Sequence, residues 1–126
     1  MVKINKVQAL LYSKCKELGY TVYDEIPEKG PSFPCVVIGD IKVEELNMKD
    51  EGHSYNFQLN VFSVYNGKFE TNEIIENIEA NMRSCSGQEL ENNHYVDNIK
   101  VLNCDVFKTE QCYQGITNIL IDVINI

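Results

Sequence analysis

The residues best suited to acid–base chemistry are two histidines, His53 and His94, and both lie in polar surroundings that predict loops. A nucleophilic mechanism would need a Ser, Cys or Thr within hydrogen-bonding reach of one histidine, and a third group to orient it. The spacing of these residue types indicates no such arrangement, so we interpret both histidines as surface residues. An enzyme would require a pocket that converges on His53 or His94.

The five cysteines are odd in number and widely spaced, and no two form a Cys-x-x-Cys pair. This pattern disfavours both a disulfide framework and a zinc ribbon. Cys85, His94, Cys104 and Cys112 together offer four zinc ligands, but their gaps match no known ligand spacing. We interpret the cysteines as reduced thiols of a cytoplasmic product, with Cys15 and Cys85 acting as small apolar residues.

Neighbouring carboxylates occur at three places, namely Glu44 with Glu45, Asp50 with Glu51, and Glu89 with Glu91. Acid–base catalysis needs such groups to converge in a pocket that shifts their pKa values, whereas successive residues of a strand point to opposite faces. The glycines are isolated, so no phosphate-binding loop is indicated. The sequence therefore predicts no catalytic residue, no cofactor-binding residue, no metal ligand and no enzyme.

The overall charge is acidic, because eleven Lys and Arg stand against nineteen Asp and Glu and give a net charge of −8. Tight binding to nucleic acid depends on clustered cations, and no basic run is present. No apolar stretch approaches the roughly 18 residues that a membrane helix requires. We expect neither sequence-specific nucleic-acid binding nor membrane attachment, although an acidic surface would suit a channel through which DNA passes.

Two amphipathic helices are indicated by apolar residues at steps of three or four. The first runs from Ile4 to Leu18 and ends at Gly19, which suits a left-handed cap. The second begins at Thr71, which is a good N-cap residue, and ends before Gly87. Its apolar stripe consists of Ile74, Ile75, Ile78, Met82 and Cys85.

Several strands are predicted between and after the helices, at positions 54–61, 99–107 and 115–124, with a short strand at 20–23. Residues 35–38 and 41–46 are predicted to form either one strand kinked at Gly39 or two short strands. The clearest is 54–61, where apolar and polar residues alternate. The stretches 24–34, 47–52 and 86–98 are rich in breakers or polar residues and are interpreted as connections. The order predicts one α+β domain spanning residues 1–126, with a mainly antiparallel sheet of about four strands and both helices on one face.

Aromatic residues are plentiful, with seven tyrosines and five phenylalanines. Tyr65, Phe69 and Tyr113 flank predicted turns, which would leave them partly exposed. Aromatic side chains are favoured in protein interfaces, but ordinary packing at the ends of elements also explains them.

The layout of the chain resembles that of the tail-completion, or tail-terminator, proteins of long-tailed bacteriophages. The residues that carry the resemblance are Leu18-Gly19-Tyr20, Phe33-Pro34-Cys35-Val36-Val37, the strand from Tyr55 to Phe62, the helix near Thr71, and the closing hairpin with Val106-Phe107, Gln111-Cys112-Tyr113 and Ile119 to Val123. The resemblance implies that Pro34, Val36, Val37, Phe57, Leu59 and Val61 are core or strand-start positions. The Asn-rich segment 87–98 departs from the pattern.

The resemblance further implies a virion subunit, made in the host cytoplasm, that forms a hexameric ring on the tail tube. Its partners would be other copies of itself, the tail-tube protein and the head connector, with DNA passing through the ring. It implies no catalytic residue and no cofactor. The alternative is a small cytoplasmic ligand-binding or regulatory α+β module that uses the open face of its sheet.

Overall fold

The computed structural model describes residues 1–47 and 51–126. The elements, in chain order, are α1 (Ile4–Glu17), β1 (Thr21–Tyr23), β2 (Cys35–Glu45), β3 (Glu51–Ser63), α2 (Phe69–Arg83), β4 (Glu89–Glu91), β5 (His94–Lys108) and β6 (Tyr113–Asn125). The predicted connection 47–52 includes residues 48–50, which lie outside the described residues, as does Asp50 of the second carboxylate pair. Glu51 and Gly52 belong to β3.

All the strands of the described chain form one sheet in the order β1-β2-β3-β6-β5-β4. β1 pairs with β2 in parallel, and the other neighbours are antiparallel. The fold is α+β as predicted, but the expected sheet of about four antiparallel strands was wrong in detail. β1 lies in the predicted stretch 20–23, but its parallel pairing with β2 makes the sheet mixed. The three-residue strand β4 was not predicted, because a short strand carries little periodic signal, and the sheet has six strands in the described chain.

Helix α1 ends as its sequence predicts. Gly19 has φ +84° and donates to the carbonyl of Lys16 at 2.9 Å, while the Tyr20 amide donates to the carbonyl of Cys15 at 3.4 Å. This pair of bonds is a Schellman motif, which satisfies the last helical carbonyls and needs a residue without Cβ at the left-handed position. The chain then turns directly into β1.

Helix α2 begins at Phe69, so the prediction that Thr71 caps it was wrong. Lys68 occupies the N-cap position and makes no side-chain capping bond. Thr71 lies inside the first turn, fully buried against β6, and its hydroxyl has no hydrogen-bond partner in the described structure. Packing against the sheet therefore overrides the capping preference of threonine.

The segment 86–98 was predicted to be a surface connection, and this was wrong. It contains β4 and the first residues of β5, joined by a tight hairpin turn at Asn92 and Asn93, whose φ angles are 37° and 63°. Both central residues of a type I′ turn need positive φ, which asparagine tolerates. The asparagines that suggested a loop therefore form a hairpin.

The core lies between both helices and one face of the sheet, which we call the covered face. Its sheet side is formed by alternate residues of the strands, and the central ones are Tyr55, Phe57, Leu59, Val61, Ile119, Ile121 and Val123. Helix α2 packs across β3, β5 and β6, and α1 packs against α2 and β1. The opposite face, which we call the open face, carries the intervening residues of each strand.

The core positions implied by the resemblance are buried, namely Val36, Val37, Phe57, Leu59 and Val61. Pro34 is the exception, since it precedes β2 and is exposed. A proline just before a strand needs no ladder partner for its nitrogen, which suits a strand-start position at the surface.

Candidate functional site

One end of the sheet presents exposed apolar side chains, and we call it the aromatic end. It is formed where β3 and β5 finish and where β2, α2 and β6 begin. Its exposed members are Phe33, Val64, Tyr65, Phe69 and Phe107. Exposed apolar groups gathered in one region are typical of interaction surfaces.

Tyr65 and Phe69 are the most prominent pair at this end, with ring centroids 6.3 Å apart and fractional exposures of 51% and 67%. The turn beneath them is fixed by Ser63, which is fully buried. Its hydroxyl donates to Glu70 Oε1 at 2.6 Å and accepts the Tyr65 amide at 3.1 Å. The prediction that Tyr65, Phe69 and Tyr113 are partly exposed is confirmed, Tyr113 being half-buried.

A shallow depression of about 180 Å³ lies beside Tyr65, between Val64–Asn66 and the turn residues Lys108–Tyr113. The turn is held by Thr109, whose hydroxyl donates to the Cys112 carbonyl at 2.9 Å and accepts the Cys112 amide at 3.2 Å. The aromatic end therefore has a fixed backbone with its apolar side chains directed outward.

The opposite end of the sheet, which we call the histidine end, brings together residues that the sequence left apart. A depression of about 300 Å³ is lined by Met1, Glu45, Leu46, Glu51, Gly52, His53, His94 and Asn125. His53 pairs with Glu45 across β2 and β3, while Asn125 lies between Glu51 and His94 in the sheet. The two ends of β3 are roughly 40 Å apart for a strand of this length.

The prediction that both histidines lie in loops was wrong, because His53 is in β3 and His94 begins β5, and each is half-buried. His94 Nδ1 lies 3.2 Å from the Glu91 carbonyl and 3.1 Å from the Asn92 carbonyl, which favours the Nδ1–H tautomer. Glu45 and Glu51 border this depression and are exposed, as expected for solvated carboxylates. This end is therefore a polar recess with two imidazoles.

The four candidate zinc ligands do not come together. Cys85 is buried beyond α2, Cys104 is exposed on β5, Cys112 is in the turn after β5, and His94 lies at the histidine end. Among the described residues, no three His, Cys, Asp or Glu side chains form a group that would hold a metal ion. Neither helix of the described chain is long and apolar enough to cross a membrane.

Several amide side chains on the open face of the sheet bond to one another across strands. The Asn118 amide donates to Asn103 Oδ1 at 2.8 Å, and the Gln114 amide donates to Asn60 Oδ1 at 3.3 Å. Ser54 Oγ also donates to Asp122. These cross-strand bonds order the polar face.

A groove of about 270 Å³ crosses the open face, and it is lined by Lys42, Glu44, Ser54, Asn56, Leu102 and Leu120. At its floor, the Asn56 Oδ1 atom is buried and has no hydrogen-bond partner in the described structure. A buried acceptor left without a donor costs about 1–3 kcal/mol. The groove is therefore bordered by a residue whose amide oxygen is desolvated without a compensating hydrogen bond in the described structure.

Two long strands, β2 and β5, are only partly covered by the short edge strands β1 and β4. β1 pairs with β2 only at Cys35, Val36 and Val37, and β4 pairs with β5 only near Tyr95 and His94. Within the described chain, residues 38–45 of β2 and 100–108 of β5 thus have no strand on their outer side. Such edges present backbone donors and acceptors to a neighbouring protein.

The fold and surfaces can be compared with those of known proteins. One solved chain, from a structure titled "Virion of native gene transfer agent (GTA) particle", matches with a TM-score of 0.62 and 19% sequence identity. The match covers 91% of this chain and 92% of that chain, and it shows a shared fold. No curated protein matches the sequence.

A family model does match most of the sequence. Residues 5–121 match the model described as "Tail completion protein gp17". This range runs from the second residue of α1 into β6, so it contains α2, nearly all of α1 and every strand except the last four residues of β6. The resemblance first noticed in the pattern of apolar residues is thereby confirmed, and the chain belongs to the family of tail completion proteins, structural components of bacteriophage virion assembly.

Proposed function

We propose that this chain is a single-domain virion subunit that caps the phage tail tube and joins the tail to the head through ring formation. The observation that carries the proposal is the family match over residues 5–121. The partners would be further copies of the chain, the tail-tube protein and the head connector, in a hexameric ring through which DNA passes. The protein would be made in the host cytoplasm and function in the virion, without catalysis or a cofactor.

The distribution of chemistry over the surface supports such a role. Five exposed apolar residues lie together at the aromatic end, and amide side chains bond across strands on the open face. The resemblance of the fold to a chain of a gene transfer agent particle supports the same kind of assembly. An acidic net charge of −8 suits a lumen that DNA must traverse without adhering.

Electron microscopy of the purified protein, with and without purified tail tubes, tests the proposal. We expect rings at one end of the tubes with the unaltered chain. Replacement of Tyr65 and Phe69 by Ala should remove most of this capping, because these are the two most exposed aromatic rings at the aromatic end. Tyr12→Ala is the matched control, since Tyr12 is an exposed aromatic residue in the middle of α1.

Circular dichroism would establish that both variants are folded. Tubes that remain uncapped at saturating concentrations of the unaltered protein would contradict the proposed function. Equal loss of capping by Tyr12→Ala and by the double variant would contradict the role of the aromatic end.

The histidine end favours a second candidate, a small ligand-binding module. His53, His94, Glu45 and Glu51 line one recess of about 300 Å³, and imidazoles beside carboxylates suit a polar ligand. Calorimetry against a library of small polar metabolites would test it, with His53→Ala as the comparison. Binding that this substitution abolishes, in a protein that fails to cap tubes, would favour the module over the virion subunit.

A further inference from the structure

The outer edge of β5 has no neighbouring strand over the second half of its length in the described fold. From Val101 to Lys108 it has β6 on one side and no strand on the other. Apolar side chains project from both of its faces here. Leu102 is 52% exposed and Phe107 is 37% exposed, and Cys104, on the covered-face side opposite Thr117, is also exposed.

Edge strands of this kind are normally shielded by charges, bulges or a covering element, because they recruit other strands. β5 has register irregularities near Val96 and Val101, but none between Asn103 and Lys108. An uninterrupted edge with apolar groups on both faces is therefore suited to accept a strand from another molecule.

A complementary edge exists on the opposite side of the same sheet. Residues 38–45 of β2 lack an outer strand in the described chain, and their length is close to that of residues 100–108 of β5. Ile41 and Val43 are half-buried against the core, so their outer sides are free to pack.

Strand direction is compatible with joining the two edges. β2, β3, β6 and β5 alternate in direction, so β2 and β5 run antiparallel within one subunit. If successive copies are related by rotation about an axis along the strands, each copy keeps its strand direction. β5 of one copy then meets β2 of the next in an antiparallel pair, the arrangement that dominates the sheet already.

Charge favours this pairing over the symmetric ones. Residues 39–45 of β2 carry three carboxylates and one lysine, whereas residues 99–108 of β5 carry two lysines and one carboxylate. Joining β2 to β2 would oppose like negative charges, and joining β5 to β5 would oppose like positive charges. Only the unlike pair brings opposite net charges together.

We propose that β5 of one subunit pairs antiparallel with β2 of the next copy of this chain, so that the sheet continues from subunit to subunit. Such a head-to-tail contact generates a closed ring when the rotation closes. The inference rests on the proposed function, which supplies the ring, and identifies the edges through which that ring is built.

Cross-linking through Cys104 tests the pairing directly. In a continuous sheet, Cys104 faces residues on the same side of the partner's β2, which include Ile41, Val43 and Glu45. Val43→Cys, together with Ile41→Cys and Glu45→Cys to allow for register, should therefore give disulfides to Cys104 on oxidation. Lys42→Cys is the matched control, because Lys42 pairs with Asn56 on the open face.

We expect at least one of the three variants to give about tenfold more covalent product than Lys42→Cys, because a disulfide needs Cβ atoms roughly 4 Å apart. The product should form a ladder extending beyond the dimer, since each subunit contributes one cysteine to each of two junctions. Adding Cys104→Ser should abolish the ladder. A product that stops at the dimer and forms through Cys104 alone would show β5–β5 pairing and overturn the proposal.

Charge reversal gives a second test that leaves the core intact. Lys100, Lys108, Asp40 and Glu44 are all exposed. Changing both lysines to Glu should reduce ring formation severalfold, and combining this change with Asp40→Lys and Glu44→Lys should restore it. Failure of the combined variant to recover, when each variant is folded, would contradict the β5–β2 contact.

Micrographs of the unaltered protein with tail tubes distinguish failure of the proposed capping function from failure of the β5–β2 pairing. Rings or caps without any cross-link from Ile41→Cys, Val43→Cys or Glu45→Cys would overturn the edge pairing alone. Complete absence of rings and caps would overturn the proposed function, whatever the cross-linking result.

Discussion

On the covered face of β3, Tyr55, Phe57 and Leu59 are fully buried, whereas Asn56, Gln58 and Asn60 on the open face are only half-buried. Both sets belong to one strand with the same backbone partners. The difference arises because two helices cover one side only, so the apolar residues are desolvated there and the amides remain accessible. The covered face therefore determines stability, and the open face is available for recognition.

The largest change in the free energy of unfolding should come from a substitution at the centre of the covered face. Phe57→Ala removes a fully buried ring and should lower the free energy of unfolding by about 3–5 kcal/mol. Gln58→Ala, the next residue on the open face, should change it by less than about 0.5 kcal/mol. Urea denaturation monitored by circular dichroism measures both, and comparable losses would contradict the contrast between the faces.

Two glycines allow the same contrast to be made with one added methyl group. A Cβ at Gly115 would lie 2.5 Å from Ile75 Cδ1 and 2.9 Å from Thr71 Cγ2, between β6 and α2. Gly115→Ala should therefore destabilise the fold by about 1–3 kcal/mol, because the helix has to shift.

Gly39→Ala is the matched control for that substitution. Its Cβ would meet only side-chain ends on the open face, the nearest being Gln58 Oε1 at 2.6 Å and Asn60 Nδ2 at 2.9 Å. These amides can turn toward solvent, so the expected change in unfolding free energy is close to zero. A larger loss at Gly39 than at Gly115 would reverse the comparison.

The thiol of Cys15, on the buried side of α1, makes the stability of the fold depend on pH. Burial raises the pKa of the Cys15 thiol from 9.0 to about 12. The unfolded chain therefore loses this proton at lower pH than the folded chain does. The contribution of the protonated thiol to the free energy of unfolding is fully present below about pH 9. It should fall between pH 9 and 12, by about 1.4 kcal/mol per pH unit.

Urea denaturation of Cys15→Ala at several pH values should show a shallower decline than that of the unaltered protein. Cys104→Ala is the comparison, since Cys104 is exposed. The pKa of Cys104 is also raised, first by partial desolvation and then by Asp105 and other nearby carboxylates, so Cys104→Ala should also flatten the pH profile but less than Cys15→Ala does. If stability falls with pH equally in Cys15→Ala and the unaltered protein, the raised pKa of Cys15 is not the cause of the decline.

The smallest change in stability is expected at Asn56, which lines the open-face groove. Asn56→Val removes the buried Oδ1 that has no partner in the described structure, and should stabilise the isolated chain by about 1 kcal/mol. Differential scanning calorimetry measures the change. A decrease in stability would mean that the amide already has a partner, such as an ordered water.

The sequence predicted the elements whose pattern repeats over several turns or residues. The alternation from Tyr55 to Val61 and the helical stripe of α1 both depend on side chains that face the core, so burial leaves a periodic signal. Gly19 also allowed the end of α1 to be predicted, because a left-handed cap favours a residue without Cβ.

The errors arose where local and tertiary preferences disagree or where the element is short. Thr71 is a favourable capping residue, yet it is buried where Gly115 allows α2 to approach β6. Asn92 and Asn93 resemble loop residues, yet their positive φ angles form a hairpin. His53 and His94 lie in one recess because β6 pairs between β3 and β5. No local sequence pattern encodes that strand order.

The first and last residues of this sequence lie at the same pole of the molecule. Met1 and Asn125 line one recess, and the Ile126 amide donates to the Asn93 carbonyl at 2.9 Å. A fluorescent or electron-dense label fused at either terminus would therefore emerge beside the imidazoles, roughly 40 Å from Tyr65 and Phe69. Images of labelled particles would reveal which pole of each subunit points along the axis of the particle.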